Sequence, residues 1–227
     1  MKGFMRCYAT GAILQSDYDP VRQYAEEYGI RSLGLMANKT WLTDPKRLTF
    51  TLARYKFVAK MLDGYQDVVE IGCGDAWASR VVAQHVGSLT CLDCDPVLLG
   101  SAPVGEYGGL ILHDMLNAPV PADPFDAAYL LDVLEHVNPG DEAVFLENVK
   151  ASVKPGGVVI VGMPSLESQQ YASPESKAGH VNCKSGPDLK ARLQDWFRHV
   201  FLFSMNDEVV HTGYSKMAHY LLALCVR

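Results

Sequence analysis

Short apolar runs, separated by turn residues and amphipathic stretches, recur along the middle of the chain. Runs of this kind predict strands at residues 67–71, 89–93, 109–113, 126–131 and 157–163. Between them, patterns with helical spacing predict helices at 77–86, 96–101 and 139–153. This alternation predicts an α/β protein with a parallel sheet and crossover helices.

The pattern changes towards the end of the chain. A helix is predicted from Gly186 to Trp196, and two strands follow at 200–205 and 218–226. No helix is predicted between these strands, so they should pair as an antiparallel hairpin joined by residues 206–216.

The first 66 residues predict a helical lead-in. One helix should run from Tyr18 to Tyr28, and a second from Asp44-Pro45 to about Asp63, because Asp is a good N-cap and Pro a good first-turn residue. The second helix is basic. Its charged side chains either form a solvated face, or Arg47 or Arg54 reaches an anionic group of a ligand. We therefore predict two domains, a helical lead-in or lid at 1–66 and a sheet domain at 67–227.

Composition limits the classes of partner. The chain has 227 residues, 48% of them hydrophobic, and a formal net charge of −6. It is long enough for one α/β domain with an extension, and it is too apolar for disorder. No Lys/Arg cluster marks a nucleic-acid surface, so a small-molecule substrate is expected. The pattern does not indicate an oligomeric state.

The apolar runs and the cysteines bear on location. The start, Met1 to Tyr8, has too short an apolar run for a signal peptide, and no stretch approaches the ~20 apolar residues of a membrane span. Six cysteines are scattered without framework spacing. We expect a cytoplasmic protein with reduced thiols and no membrane partner. His180 and Cys183 lack a second ligand pair, so no metal site is predicted.

The segment Glu70-Ile-Gly72-Cys73-Gly74-Asp75 reads as a strand that enters a glycine turn before a helix. A dinucleotide site needs a third glycine where this chain has Trp77, and Asp75 would repel a pyrophosphate. S-adenosylmethionine has a sulfonium and an ammonium and no phosphate, and Glu70 could hold its ammonium. The remaining alternative is a turn that needs glycines for its shape alone.

Asp93 ends the next predicted strand, 21 residues after Gly72. An acid at this distance can accept hydrogen bonds from a ribose diol. The alternative is a strand-end turn residue, since Asp95-Pro96 follows as turn and helix-start chemistry.

Taken together, the segment from Val68 to about Ser165 resembles the class I S-adenosylmethionine-dependent methyltransferases. The matching pieces come in family order: Glu70-x-Gly72-x-Gly74, Leu92 to Pro96, His113-Asp114-Met115, Phe125 to Val137 and Lys154-Pro155-Gly156-Gly157. The resemblance implies a Rossmann-like seven-stranded sheet, mostly parallel with an antiparallel C-terminal strand, helices on both faces and an N-terminal helical lid. Ala76, where many members have a third glycine, is a small departure.

The resemblance also implies a cofactor site for S-adenosylmethionine. Asp114 would accept from the adenine amino group, Met115 would pack on the ring, and Leu131 and Asp132 would lie near the sulfonium methyl. The full set of expected cofactor residues is Glu70, Gly72, Cys73, Gly74, Asp93, Cys94, Asp114, Met115, Leu131 and Asp132.

Methyl transfer to a hydroxyl needs alignment and a base, and histidine titrates in the suitable range. His136 follows the fourth predicted strand, and it could equally be a structural cap. His180 lies in the polar loop 165–185, with Tyr171 and Asn182 as weaker candidates for substrate contact. His211 and Tyr214 are further candidates, and the remaining histidines are expected to be structural or at the surface: His85, His113, His199 and His219.

These observations favour a methyltransferase acting on oxygen or nitrogen of a small polar metabolite, such as a sugar or surface-glycan precursor. An inactive cofactor-binding or partner-binding module is the main alternative. A nicotinamide oxidoreductase is disfavoured by Asp75 and Trp77. An aminopropyl transferase would need an acidic pocket that the sequence does not indicate.

Overall fold

The computed structural model describes residues 18–103 and 107–227. The predicted absence of a signal peptide at Met1 to Tyr8 therefore lies outside the described residues. Eight strands occur in the described part: β1 (Asp67–Ile71), β2 (Ser88–Asp93), β3 (Gly109–Leu112), β4 (Phe125–Leu131), β5 (Val153–Pro164), β6 (His199–Asn206), β7 (Val209–His211) and β8 (Tyr220–Val226).

These strands form one sheet in the order β3-β2-β1-β4-β5-β8-β6-β7. The first five strands pair in parallel, whereas β8 is antiparallel to β5 and β6, and β7 is antiparallel to β6. The predicted α/β class, the mostly parallel sheet and the antiparallel C-terminal strand are confirmed. The predicted strand number of seven is wrong, because β7 has three residues and is too short to show an alternating pattern.

The helices differ from prediction in number and in length. They are α1 (Asp19–Tyr28), α2 (Leu35–Thr43), α3 (Arg47–Met61), α4 (Arg80–Ala83), α5 (Pro96–Leu99), α6 (Glu142–Ala151), α7 (Pro174–Gly179) and α8 (Gly186–Gln194). Neither α2 nor α7 was predicted. In α2 the apolar residues do not recur on one face, and only Ala37 is buried, so the helix lacks the amphipathic stripe that marks a helix in sequence.

Two apolar layers cover the two faces of the sheet. Successive residues of a strand point to opposite faces, and Val69 accordingly packs with Phe145 of α6 and Leu189 of α8. Val68 packs on the other face with Val58 of α3. Helices on both faces are therefore confirmed.

By its internal contacts the chain divides into two units after Ser32, whereas the division into a lid at 1–66 and a sheet domain at 67–227 stays a prediction. Residues 18–32 contain α1, which has no buried residue and an exposed Arg22–Asp19 ion pair. Residues from Leu33 to Arg227 form a second unit, which includes α2 and α3 because α3 supplies part of the core beneath the sheet. No helix among the described residues is long and apolar enough to cross a bilayer.

Candidate active site

The glycine turn after β1 has the tight geometry that its sequence predicted. Gly72 and Gly74 have φ values of 74° and 58°, in the left-handed region that glycine adopts at little cost. The amides of Gly72 and Cys73 donate to the Leu92 carbonyl at 2.8 and 2.9 Å. A Cβ on Gly72 would collide with the Val133 side chain, so the turn packs closely between the ends of β2 and β4.

Asp75 joins this turn to α2. Its carboxylate is fully buried, and Oδ2 accepts from the amides of Met36 at 2.7 Å and Ala37 at 3.3 Å. A carboxylate stabilises the N-terminus of a helix through these free amides. Its other oxygen, Oδ1, has no hydrogen-bond partner in the described part of the chain. A buried carboxylate oxygen beside the turn suits a cationic ligand group and opposes a phosphate.

Glu70 does not lie on the open rim, and its expected role is corrected. Its side chain is buried, and its two oxygens accept from the hydroxyls of Tyr55 at 2.6 Å and Tyr129 at 2.8 Å. Burial raises the pKa of Glu70 above its ordinary value despite these hydrogen bonds. The carboxylate therefore joins β1 to α3 and β4 from within and is not placed to hold an ammonium group.

Three predicted cofactor residues meet at the ends of β2 and β3. The two oxygens of Asp93 accept from the amides of Gly74 at 2.7 Å and Asp95 at 2.8 Å. Each oxygen keeps a second lone pair for a ligand hydroxyl. The His113 amide donates to the Asp93 carbonyl at 2.9 Å, so Cys94 and Asp114 follow the ends of the paired strands β2 and β3 at one edge of the sheet. Burial, followed by the charges of Asp93 and Asp114, raises the pKa of Cys94.

The apolar residues of the predicted cofactor set lie in the core. Met115 is 3% exposed and packs in the layer that includes Val120, so its side chain offers almost no surface to an adenine ring. That expected contact is corrected. Cys73 and Leu131 are each 6% exposed and belong to the opposite layer, where they support the turn and the end of β4 from behind.

An ion pair stands at the end of β4. Arg54 of α3 donates to Asp132 Oδ2 at 2.6 Å, and its guanidinium lies over the Tyr220 ring at 3.7 Å from the centroid. Burial opposes the charge of Arg54, but the charge of Asp132 and its hydrogen bond to Arg54 help to outweigh burial, and the pKa of Arg54 is raised. Arg54 is therefore committed to Asp132 within the protein.

His136 and His180, far apart in sequence, lie side by side beyond β4. Their ring centroids are 5.1 Å apart with an interplanar angle of 69°. His136 Nδ1 lies 2.9 Å from the Gly179 carbonyl, and His180 Nδ1 lies 2.8 Å from Gln169 Oε1. Because both partners are acceptors, each Nδ1 carries the proton and each Nε2 keeps a free lone pair.

Glu135 lies next to His136 and His180 and is buried in the protein interior. It is fully buried, and neither carboxylate oxygen has a hydrogen-bond partner among the described residues. Burial, followed by the neighbouring Asp132 charge, raises the pKa of Glu135 well above its ordinary value. Its backbone carbonyl accepts from the amides of Val181 and Asn182 at 2.9 and 3.0 Å, which holds the loop of His180 against it.

Comparison with known proteins places this geometry in a family. Residues 69–161 match the methyltransferase domain family. An uncharacterized methyltransferase of Mycobacterium tuberculosis is 32% identical over 111 residues, which cover 46% of this chain and 55% of the relative. Residues 69–161 of this chain therefore form a methyltransferase domain, as the resemblance to the class I S-adenosylmethionine-dependent enzymes predicted. S-adenosylmethionine is the cofactor of the domain, and the chain spans about half the length of that curated relative.

Solved structures agree on the fold of the methyltransferase domain. The N-methyltransferase NodS from Bradyrhizobium japonicum, in complex with S-adenosyl-L-homocysteine, has a TM-score of 0.56 at 18% identity, over 80% of this chain and 86% of NodS. The small RNA methyltransferase HEN1 has a TM-score of 0.65 at 15% identity, over 78% of this chain and 26% of HEN1. One of these proteins is named as an N-methyltransferase and the other as a small RNA methyltransferase, and at these identities the likeness shows the fold alone.

Several residues that the sequence suggested as weaker candidates for substrate contact lie outside the cluster of His136 and His180. Tyr171 is 84% exposed and Tyr214 is 66% exposed. The His211 ring is used locally, with Nε2 at 2.9 Å from Asn206 Oδ1 and Nδ1 accepting from the Gly213 amide at 2.9 Å. Asn182 is buried and donates to Glu142, so it holds the loop and does not point to an acceptor.

Two residues of the methyltransferase site were missed in the sequence. Glu135 was noted only as part of the motif that contains His136, with no role of its own. Gln169 lies in a predicted loop whose sequence has no periodicity. The adjacency of Glu135 and His136 was a usable signal. The contact between Gln169 and His180 was not, since it depends on the path of the loop.

Glu142 holds the His180 loop and provides a pH-dependent test of stability. Burial favours a raised pKa, but hydrogen bonds from Lys184, Arg192 and Asn182 outweigh it and lower the pKa of Glu142. Removing this charge leaves Lys184 without its carboxylate and Arg192 with only the exposed Asp195 as an ion-pair partner, so we expect Glu142→Gln to lower the free energy of unfolding by about 2 kcal/mol at pH 7. Chemical denaturation measures it.

The sign of the pH dependence follows from the lowered pKa. The stabilisation is complete above the ordinary glutamate pKa and is lost as pH falls through the lower, folded-state value. The difference between wild type and Glu142→Gln should therefore shrink in acid. Glu147→Gln, on the exposed face of the same helix, is the matched control and should change stability by less than about 0.5 kcal/mol. A Glu142→Gln loss that is constant with pH would contradict this role.

Proposed function

We propose that this chain transfers the methyl group of S-adenosylmethionine to an oxygen or nitrogen of a small polar metabolite, such as a sugar or surface-glycan precursor. The observation that carries the proposal is the pair of imidazoles beyond β4, on the same edge of the sheet as Asp93 and Asp132. In open α/β sheets ligands bind beyond the carboxyl ends of the strands. This edge therefore has a cofactor side, with Asp75, Asp93 and Asp114, and an acceptor side, with His136 and His180.

The cofactor side fits S-adenosylmethionine better than a dinucleotide. Asp93 has lone pairs left for the ribose hydroxyls, and Asp114 follows the end of the neighbouring strand β3, where it would accept from the adenine amino group. The orphan Oδ1 of Asp75 lies beside the turn, where it favours a cationic amino acid moiety over a pyrophosphate.

The acceptor side supports proton removal. When bound, S-adenosylmethionine supplies a methyl group already activated by its sulfonium. The residues of this chain then align the acceptor, and a free Nε2 of His136 or His180 can take its proton. Burial, followed by the nearby His136, lowers the pKa of His180, so this imidazole is neutral at pH 7 and its Nε2 can accept a proton.

The charge of the chain supports a small acceptor. Its formal net charge is −6, whereas RNA binding draws most of its affinity from Lys and Arg contacts to phosphates. The polar segment 165–185 adjoins His136 and His180, and its hydroxyl and amide groups suit a hydroxyl-rich metabolite.

Calorimetric titration of S-adenosylmethionine, S-adenosylhomocysteine and NADH tests the cofactor side. We expect both sulfur ligands to bind and NADH not to bind. Asp93→Ala should raise the Kd for the sulfur ligands about 30- to 100-fold, because charge-assisted hydrogen bonds to the ribose contribute about 2–3 kcal/mol. Asp95→Ala is the matched control: it removes the same charge two residues later, where the side chain caps α5, and it should leave Kd unchanged.

The outcomes separate the alternatives. Binding of NADH but not of the sulfur ligands would favour an oxidoreductase and overturn the proposal. Binding of the sulfur ligands without turnover across a panel of sugars, nucleotide sugars and amines would favour the inactive cofactor-binding module. Methylated product, identified by mass spectrometry, would support the proposal and name the acceptor.

A further inference from the structure

Three potential metal ligands lie close together beyond β4. Glu135, His136 and His180 each offer a ligand atom, and these atoms all lie within 4.8 Å of one another. Both Nδ1 atoms donate a hydrogen bond to a carbonyl or amide oxygen, so the lone pair that each imidazole can offer to a metal ion is on Nε2. A second-shell hydrogen bond of this kind orients histidine ligands in metal sites.

Glu135 provides the independent observation. Its side chain is fully buried, and both oxygens lack a hydrogen-bond partner among the described residues. Burying a carboxylate without a partner costs several kcal/mol. Protonation would not remove the difficulty, because the resulting hydroxyl would also need an acceptor. A cation between Glu135 and the two imidazoles would supply the missing partner.

We propose that Glu135, His136 and His180 bind one divalent first-row transition-metal ion that holds the methyl acceptor. The role of the ion in holding the acceptor rests on the proposed function, because it assumes that the chain transfers a methyl group. Binding of the ion itself does not depend on that assumption. Two imidazoles and one carboxylate suit Mn²⁺, Fe²⁺, Co²⁺ or Zn²⁺ better than Mg²⁺, which prefers oxygen ligands.

Neighbouring charges are compatible with a cation here. Asp132 acts electrostatically on both Glu135 and His180 and adds a second carboxylate to the surroundings. Arg54 forms an ion pair with Asp132 at 2.6 Å and neutralises its charge. Arg47 also acts on Glu135 and His180, and its charge would favour metal-bound anionic oxygen on the acceptor.

An ion at this point would define the acceptor as a molecule with adjacent oxygens. Three protein ligands leave coordination positions open, and a vicinal diol can fill two of them. Binding to the ion lowers the pKa of a hydroxyl. The acceptor oxygen then forms a bond to the methyl carbon as the carbon–sulfur bond breaks, and the proton passes to solvent. The histidines serve as ligands in this arrangement and not as the base.

The sequence did not predict this site because it grouped His180 with Cys183. The fold instead joins His180 to Glu135 and His136. The hydrogen bonds from Val181 and Asn182 to the Glu135 carbonyl make this juxtaposition part of the backbone structure.

Metal binding by the purified, chelator-treated protein tests the inference. MnCl₂ and CoCl₂ are titrated separately, with calorimetry for both, electron paramagnetic resonance for Mn²⁺ and visible absorption for Co²⁺. We expect one ion per chain, and at least about 10-fold weaker binding in Glu135→Gln and His180→Ala. Glu147→Gln and His199→Ala, which change exposed residues elsewhere, should bind like wild type.

S-adenosylhomocysteine binding and turnover, measured on the same samples with and without EDTA, separate this inference from the proposed function. Absence of saturable binding by either ion, or binding that neither Glu135→Gln nor His180→Ala weakens, would overturn the metal site. Full turnover in EDTA would also overturn it and leave methyl transfer with a histidine base. Metal binding that depends on Glu135 and His180, in a protein that binds no sulfur ligand, would support the site while refuting the proposed function.

Discussion

His136→Ala and His180→Ala are each expected to lower kcat by about 10²- to 10⁴-fold, the range found for loss of a group that assists proton transfer, whether the histidine takes the proton itself or binds the proposed ion. The Kd for S-adenosylmethionine should stay within about twofold of wild type, since neither histidine belongs to the cofactor side. Steady-state kinetics with the identified acceptor, together with calorimetry on the same protein, measures both quantities.

The control is His199→Ala, an exposed histidine at the start of β6. It begins the strand opposite Val226, which pairs with Val158 near the amino end of the parallel β5. It therefore lies away from the carboxyl edge that carries the site. Turnover within about threefold of wild type in either His136→Ala or His180→Ala would remove that histidine from the acceptor site.

The pH dependence of kcat/KM tests His180 further, because a purely structural histidine would not change it. Burial, followed by the charge of His136, lowers the pKa of His180. The active neutral imidazole therefore persists below the ordinary histidine pKa, and kcat/KM should fall as pH drops through the lowered value. The acidic limb should move in Gln169→Leu, because this change removes the acceptor that holds Nδ1 at 2.8 Å.

Glu70→Ala should lower the free energy of unfolding by about 3–5 kcal/mol. The change leaves the hydroxyls of Tyr55 and Tyr129 without an acceptor in the core, and each unsatisfied buried group costs about 1–3 kcal/mol. A cavity adds to the loss. Both tyrosines are at most 9% exposed, so water offers little compensation. Chemical denaturation measures the change.

Glu70→Gln is the matched variant and should cost about 1 kcal/mol or less. Its amide keeps an acceptor for one tyrosine, and the other hydroxyl can rotate to accept from the amide nitrogen. If Glu70→Ala and Glu70→Gln lose the same stability, the network does not carry the effect.

The pH dependence of the Glu70 variants has a definite sign. The folded-state pKa of Glu70 is raised by burial, so the fold favours the protonated acid. Its contribution is greatest below the ordinary glutamate pKa and is lost as pH rises through the raised value. Relative to wild type, Glu70→Gln should therefore gain stability on going from pH 4 to pH 7.

The cofactor side shows how far local pattern reaches. The glycine turn lies where the spacing of Gly72 and Gly74 predicted it, with the left-handed φ values that make glycine necessary. Asp93 and Asp114 lie near one edge of the sheet because parallel strands bring their carboxyl ends together. The same pattern misplaced Glu70 and Met115, since a strand-end position does not indicate which neighbours a side chain will meet.

The amino-acid sequence by itself determined the alternation of strands and helices, the turn and the order of the acids along the rim. Each of these follows from periodicity or spacing within a few residues. Only the tertiary structure decided that Glu70 turns inward to Tyr55 and Tyr129, and that His180 returns to Glu135 and His136. The physical reason is that such contacts join distant segments through side-chain packing and loop hydrogen bonds, which leave no periodic trace in the sequence.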